Sequence, residues 1–265
     1  VYHLPGANDG GFHMMVVNAG NRNKIVDWIQ SRLPDSVRLD DRTIQTAMIA
    51  VQGPKANEIV ARLTETDPSS LAYYTGTTTK LSGAPVILSR TGYTGEDGCE
   101  LIVEAKDALN IWKKIHGLAA AAGGGATGLA ARDTLRLEAG MPLYGHELSE
   151  HINPVQTNLK FAINLKDREF VGRAAIVAAR QNESLPVRIG LELEGRRAAR
   201  EGCEVFENDH RVGMVTSGTY APTLQKSISM AYVSPTAASI GNQLTVDIRG
   251  KSHQATVVEL PFYTR

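Results

Sequence analysis

The periodicity of the chain changes near Pro186, and that change narrows the folds open to it. Before it, strand-like alternation of apolar residues gives way repeatedly to apolar residues at helical spacing. After it come short strand-like runs parted by turn residues: RIGLELEG, CEVFENDHRVGMVTSG, SISMAYVS and NQLTVDIRGKSHQATVVELPF. Two hairpin turns stand out there, near Asn208-Asp209 and at Arg249-Gly250-Lys251. The pattern predicts a mixed region of strands and helices followed by a small all-β unit.

Within the mixed region, FHMMVVN (12–18) reads as a strand, and NKIVDWIQSRL places Ile25, Trp28, Ile29 and Leu33 at helical spacing. IQTAMIAVQ (44–52) is a second strand. Pro54 then stands near the first position of a helix whose one face is Ala56, Ile59, Val60 and Leu63. TGTTTKL and PVILSRT form a hairpin about Ser82-Gly83-Ala84. CELIVEA is a strand, and the helix after it carries Leu109, Trp112, Ile115 and Leu118. The run GLAAAAGGGATGLAA (117–131) is open to two readings, a flexible linker or a close-packed helix turn. Leu129, Leu135 and Leu137 continue into a helix and favour the second.

Charge and cysteine usage exclude several classes of function. The chain has 265 residues, with 28 basic against 28 acidic side chains and no formal net charge. This removes the basic footprint of a nucleic-acid binder and any reason to expect attraction to a membrane surface. No window reaches the roughly eighteen apolar residues of a membrane span, and the chain opens on no basic segment followed by an apolar one. A soluble, cytoplasmic protein is expected. Cys99 and Cys203, about a hundred positions apart, have neither a disulfide framework nor zinc-ligand spacing, so two reduced thiols are expected.

The segment RTGYTGEDGCELIVE (90–104) has glycines three apart at Gly92, Gly95 and Gly98. A phosphate loop delivers backbone N–H groups and a helix N-terminus to its anion. Here a strand follows instead, and Glu96, Asp97 and Glu100 put negative charge where a phosphate would sit. The loop suits a cationic or hydrogen-bond-donating ligand, with glycines for positive φ and close approach and Tyr93 available to stack or cap. Glu100 alternates with Cys99 and Leu101, so it faces away from them, either as a polar strand residue in solvent or as a ligand group. Arg132 lies four residues before Arg136 on one helix, a like-charge spacing that favours a partner outside the helix for at least one of them. The alternative is an arginine lying along the helix face. HELSEH (146–151) is no zinc helix, because its histidines are five apart and a five-residue step leaves them about 140° apart round the helix. Cys99 has no neighbouring histidine or cation to activate it as a nucleophile and reads as core packing.

At RTGYTGEDGCELIVEA, and again at GLAARDTLRLEAGMPLYGHELSEHINPVQTNLKFAINL with REFVGR after it, the chain resembles the tetrahydrofolate-dependent aminomethyltransferases of the glycine cleavage system, the T-proteins. VVNAG (16–20), VTSGTYAPTL (215–224) and the terminal PFYTR extend the resemblance over essentially all of the residues. It implies an α+β fold of antiparallel sheets and helices, in three domains about a central channel that holds the folate, ending in a small β-barrel. Residues 1–183 would be the folate-binding region and 184–265 the C-terminal barrel.

The resemblance also implies the chemistry. Glu100 falls on the family glutamate that grips the pterin, whose adjacent N3–H and 2-amino group are parallel donors that one carboxylate accepts together. Arg132 falls on the site arginine, the catalytic candidate in this chain, and Tyr93, Asn18 and Tyr263 are further folate contacts. Tetrahydrofolate is the one-carbon acceptor, and the lipoyl carrier H-protein is the partner that supplies the aminomethyl group. The family's main catalytic aspartate would lie upstream of Val1, so the 265 residues alone are expected to show no aminomethyl transfer and to be either a fragment or a shortened form. Relatives of other function demethylate a small methylated substrate or bind folate without catalysis. The loop or flavin domain that marks the first, and the K-G-C-x-x-G-Q-E segment that marks the second, find no match here.

Overall fold

The computed structural model describes residues 1–4 and 10–265, with the backbone alone at position 160. The chain falls into two compact units, Val1–Thr127 and Gly128–Arg265.

The first unit opens with β1 (Tyr2–Leu4) paired antiparallel to β2 (Phe12–Met14). The strand expected over 12–18 thus closes early, and α1 (Arg22–Gln30) follows a short 3-10 turn. No residue of α1 is fully buried, Trp28 stays 45% exposed, and Arg22 ties the helix to Asp41 at 2.8 Å. The body of the unit is a four-stranded antiparallel sheet of β3 (Thr46–Gln52), β4 (Gly76–Leu81), β5 (Ala84–Ser89) and β6 (Gly98–Glu104), in the order β3-β6-β5-β4. The β4–β5 hairpin closes through Ser82 and Gly83 at φ 50° and 86°, the left-handed pair that a two-residue turn needs to match the strand twist.

One sheet face, with Ile49, Val51, Val86, Leu88, Cys99, Leu101 and Val103, buries itself under α2 (Ala56–Ala61) and α3 (Ala105–Ala121). Each fully buried aliphatic side chain in such a layer contributes about 1.5–3 kcal/mol. Pro54 lies in the turn before α2 rather than in its first position. On α3 the buried stripe is Ala108, Ile111, Ile115 and Leu118, while Leu109 and Trp112 are 64% and 43% exposed. The expected face therefore lies partly on the wrong side. β6 runs into α3 with no intervening loop, so the strand fixes the helix's rotation and turns the small Ala108 to the sheet. The alanine–glycine run is not close-packed either: α3 ends at Ala121, Gly123 turns the chain at φ 87°, and residues 123–131 are exposed. Side chains this small have little apolar area to bury.

The second unit carries α4 (Leu129–Glu138), α5 (Arg173–Arg180) and six strands: β7 (Val187–Leu193), β8 (Glu204–Glu207), β9 (His210–Ala221), β10 (Lys226–Val233), β11 (Gln243–Asp247) and β12 (Ser252–Val258). They close into an antiparallel barrel in the order β10-β7-β12-β11-β8-β9. Both expected hairpin turns are present, with Asn208 and Asp209 at φ 48° and 65° and Arg249 and Gly250 at 58° and 75°. Leu191, Val205, Val215, Ala231, Val246 and Val257 fill the interior, as the alternation along each strand requires. Outside it, Leu137 of α4 packs on Ala221, Ile228 and Met230.

Candidate functional site

The glycine loop between β5 and β6 is built around a side chain of its own unit. The Gln52 amide nitrogen donates to the carbonyls of Thr91 (3.0 Å), Val51 (3.2 Å) and Cys99 (3.3 Å), and its oxygen accepts from the Thr94 hydroxyl at 3.3 Å. A Cβ on Gly92 would fall 1.8 Å from the Gln52 oxygen, and one on Gly98 would fall 2.5 Å from the Val51 carbonyl. Two of the three spaced glycines thus admit Gln52, and the third, Gly95, supplies a positive φ of 79°. Nor is the loop's negative charge uncompensated: Arg90 grips both oxygens of Asp97 (3.1 and 2.6 Å) and donates to the Leu71 carbonyl at 2.9 Å. The hydrogen bond from Arg90 to Asp97 holds its guanidinium above the ordinary pKa. Sequence reading missed Gln52; its signal was a carboxamide ending a strand directly before Gly53-Pro54.

Glu100 lies on β6, an interior strand, with Ala50 and Ser89 as its cross-strand neighbours. Both are small, so the carboxylate has room beside it. The next row on the same face is Met48, Ile102 and Ile87, an apolar floor one step along the pleat. This face is opposite the one covered by α2 and α3. Tyr93 is half-buried in the loop itself, and Asn18 is exposed at the entry to the 3-10 turn before α1. Cys99 points the other way, wholly buried with its thiol donating to Asn57 Oδ1 at 3.1 Å, and burial pushes its pKa up to about 12.

In the second unit, Arg136 of α4 reaches outside the helix. It is 2% exposed and donates to Glu147 (2.9 Å), the Ser217 hydroxyl (2.7 Å) and the Met141 carbonyl (3.2 Å), with Asp133 on the helix at 2.8 Å. Glu147, fully buried, also accepts from Leu143 N (2.9 Å) and the Thr216 hydroxyl (2.6 Å). A buried ion pair whose partners are further hydrogen-bonded in this way is the form that survives desolvation. Arg132 is exposed on the same helix, so the pair fixes the helix that presents it. The α4 terminus is held in turn by Tyr263 N, which donates to the Glu138 carbonyl at 2.8 Å, and Tyr263 is itself half-buried. HELSEH is a turn rather than a helix, and Glu147, the first of its two glutamates, is its buried member rather than either histidine. Among the described residues no three His, Cys, Asp or Glu side chains gather as a metal site would require, and no helix is long and apolar enough to cross a membrane.

An antiparallel sheet backed by helices, a half-buried carboxylate between small neighbours on its other face, and a closed six-stranded barrel define a class of two-part α+β proteins with a terminal barrel. The profile of the GCVT N-terminal domain matches residues 8–167, and that of the glycine cleavage T-protein C-terminal barrel domain matches 187–264. The chain belongs to the family of glycine cleavage T-proteins, the aminomethyltransferases. It is 45% identical over 276 residues to the aminomethyltransferase of Cutibacterium acnes, covering all of this chain and 72% of that one. It is 43% identical over 250 residues to that of Synechococcus elongatus, covering 94% of this chain and 66% of that one. The crystal structure of the glycine cleavage system aminomethyltransferase T from Bartonella henselae superposes with a TM-score of 0.82 at 29% identity, covering 93% of this chain and 67% of that one. The chain thus spans about two-thirds of the length of such relatives.

Proposed function

We propose that the protein carrying this chain is a tetrahydrofolate-dependent aminomethyltransferase of glycine cleavage, which takes its one-carbon unit from the aminomethylated lipoyl arm of the H-protein. The observation that supports this most is Glu100: an interior-strand carboxylate with small neighbours on both sides and an apolar row beside it, in a chain of this family. A pterin is flat and offers two adjacent donors, so the apolar row would carry its ring and the carboxylate would accept both N–H groups. In this reading Tyr93, Asn18 and Tyr263 are further folate contacts and Arg132 is the site arginine. Residues 1–183 then serve as the folate-binding region and 184–265 as the terminal barrel domain.

The reaction balances without an oxidant. The methylene carbon loses its bonds to the lipoyl sulfur and to the amine nitrogen and gains bonds to folate N5 and N10. The two protons displaced from those nitrogens leave on the thiol and on ammonia. The protein's task is to hold both reactants in near-attack geometry and to stabilise the developing positive charge with a carboxylate. Replacement of Glu100 by alanine is expected to weaken reduced-folate binding by about 2–4 kcal/mol, roughly 30- to 1000-fold, because two buried donors lose their acceptors. Calorimetric titration measures it. Ammonia release from an aminomethylated lipoyl carrier, assayed with the natural protein that contains this chain, is expected to fall as far in Arg132→Lys as in Arg132→Ala, since a point charge does not replace a planar fork. Unchanged folate affinity in a folded Glu100→Ala protein would sink the reading.

A further inference from the structure

The loop from β7 to β8, with the turn from β11 to β12, surrounds a concavity of about 530 Å³ lined by Arg196, Arg197, Arg200 and Arg249 together with Tyr220 and Cys203. Among the described residues no carboxylate pairs with any of these four arginines. In a chain with as many acidic as basic residues, four guanidinium groups gathered without a counter-charge repel one another at a cost. Glu201, next to Arg200, is instead 3.1 Å from His146.

The loop that presents them is anchored rather than trailing. Ala199 is wholly buried in the barrel core, so its arginine neighbours leave from a fixed point. Two buried hydroxyls of β10 secure the backbone: Ser227 donates to the Gly195 carbonyl at 3.1 Å and Ser229 to the Ala199 carbonyl at 3.2 Å. The loop lies so close on β9 that a Cβ at Gly218 would fall 1.7 Å from the Ala199 oxygen. Two of the guanidinium groups are themselves held, Arg200 by donating to the Gly218 carbonyl at 2.9 Å and Arg196 by lying 4.8 Å over the Tyr220 ring. Arginines ordered in advance lose little further freedom when they bind an anion, and each planar fork grips a carboxylate or a phosphate with two parallel bonds. The volume falls in the range of small-molecule sites.

We propose that this end of the barrel is a binding site for a small organic polyanion carrying two or more carboxylate or phosphate groups. The site lies within the barrel unit and is separate from the folate reading. Its test is isothermal titration of citrate and of tripolyphosphate at low ionic strength, about 20 mM, where screening is weak. One-to-one saturable binding of at least one probe is expected, and the tighter probe assigns the site to carboxylates or phosphates. The double variant Arg197→Gln/Arg249→Gln is expected to lose about tenfold or more in affinity, from removing charge-assisted bonds. Arg211→Gln, whose guanidinium is paired with Glu204 at 3.0 Å, should bind like the parent. No saturable binding of either probe would overturn the proposal. So would an equal loss in Arg211→Gln, which would mean diffuse charge, or a parallel loss of reduced-folate affinity in the double variant, which would make the arginines part of the folate site.

Discussion

The two cysteines differ in environment more than their shared residue type suggests. Cys99 sits in the core layer with its thiol pushed up to about 12 from an ordinary 9.0, chiefly by burial, whereas Cys203 is only half-buried. A raised acid pKa keeps the folded form protonated, so Cys99 contributes stability that is present below pH 9 and is lost as pH rises towards 12. Iodoacetamide at pH 8 is therefore expected to modify Cys203 alone, with Cys99 reacting only after denaturation. Mass spectrometry reads the sites, and early modification of Cys99 in folded protein would contradict its burial. That Cys99 is a core residue was legible from its alternation with Glu100 and Leu101. The neighbours of Glu100 were not, because Ala50 and Ser89 lie 50 and 11 positions away and meet it only through strand register.

The glycine loop shows how an element can be read correctly in outline while the side chain it closes on goes unseen. Its spacing announced close approach, and the partner that approaches is Gln52, 40 positions before Gly92. Gly92→Ala is expected to destabilise the fold by about 1–3 kcal/mol through overpacking. In a Gln52→Ala background the same substitution should cost at least about 1 kcal/mol less, since all three atoms nearest the new methyl belong to Gln52. Denaturant unfolding of the four proteins gives the coupling, and additive losses would show that the carboxamide is not what the glycine accommodates. On α4 the like-charge pair rightly signalled a partner outside the helix, but helical spacing has no means of saying which residues supply it. For Arg136 they are Glu147 and Ser217, brought to it by tertiary folding. On α3 the same limit appears as the wrong apolar face, where Leu109 and Trp112 outrank Ala108 in hydrophobicity but not in fit against a sheet.

At the scale of the whole molecule, one hydrophobic core is built from residues before an exposed alanine–glycine stretch, residues 123–128, and another from residues after it. Limited digestion with elastase, which cuts after small residues, is expected to nick this stretch first and to leave two resistant pieces near the masses of 1–127 and 128–265. First cuts inside β3–β6 or the barrel would refute the division. The switch to short strands near Pro186 announced the all-β unit, and the hairpin turns were legible because left-handed residues announce themselves locally; the closure of the ring was not, since it joins β7 to β10 and β12 across long separations. Closure itself limits how such a chain can change in length. An open sheet can let its outermost strand slip, but in a ring every offset between neighbours must sum to the same total on returning to the start. One residue inserted into a strand must therefore be cancelled elsewhere on the circuit or looped out where the ladder already steps, at Met230/Ala231 or Val205/Phe206. Insertions and deletions among proteins with this barrel should accordingly gather in its connections, leaving the strands themselves constant in length.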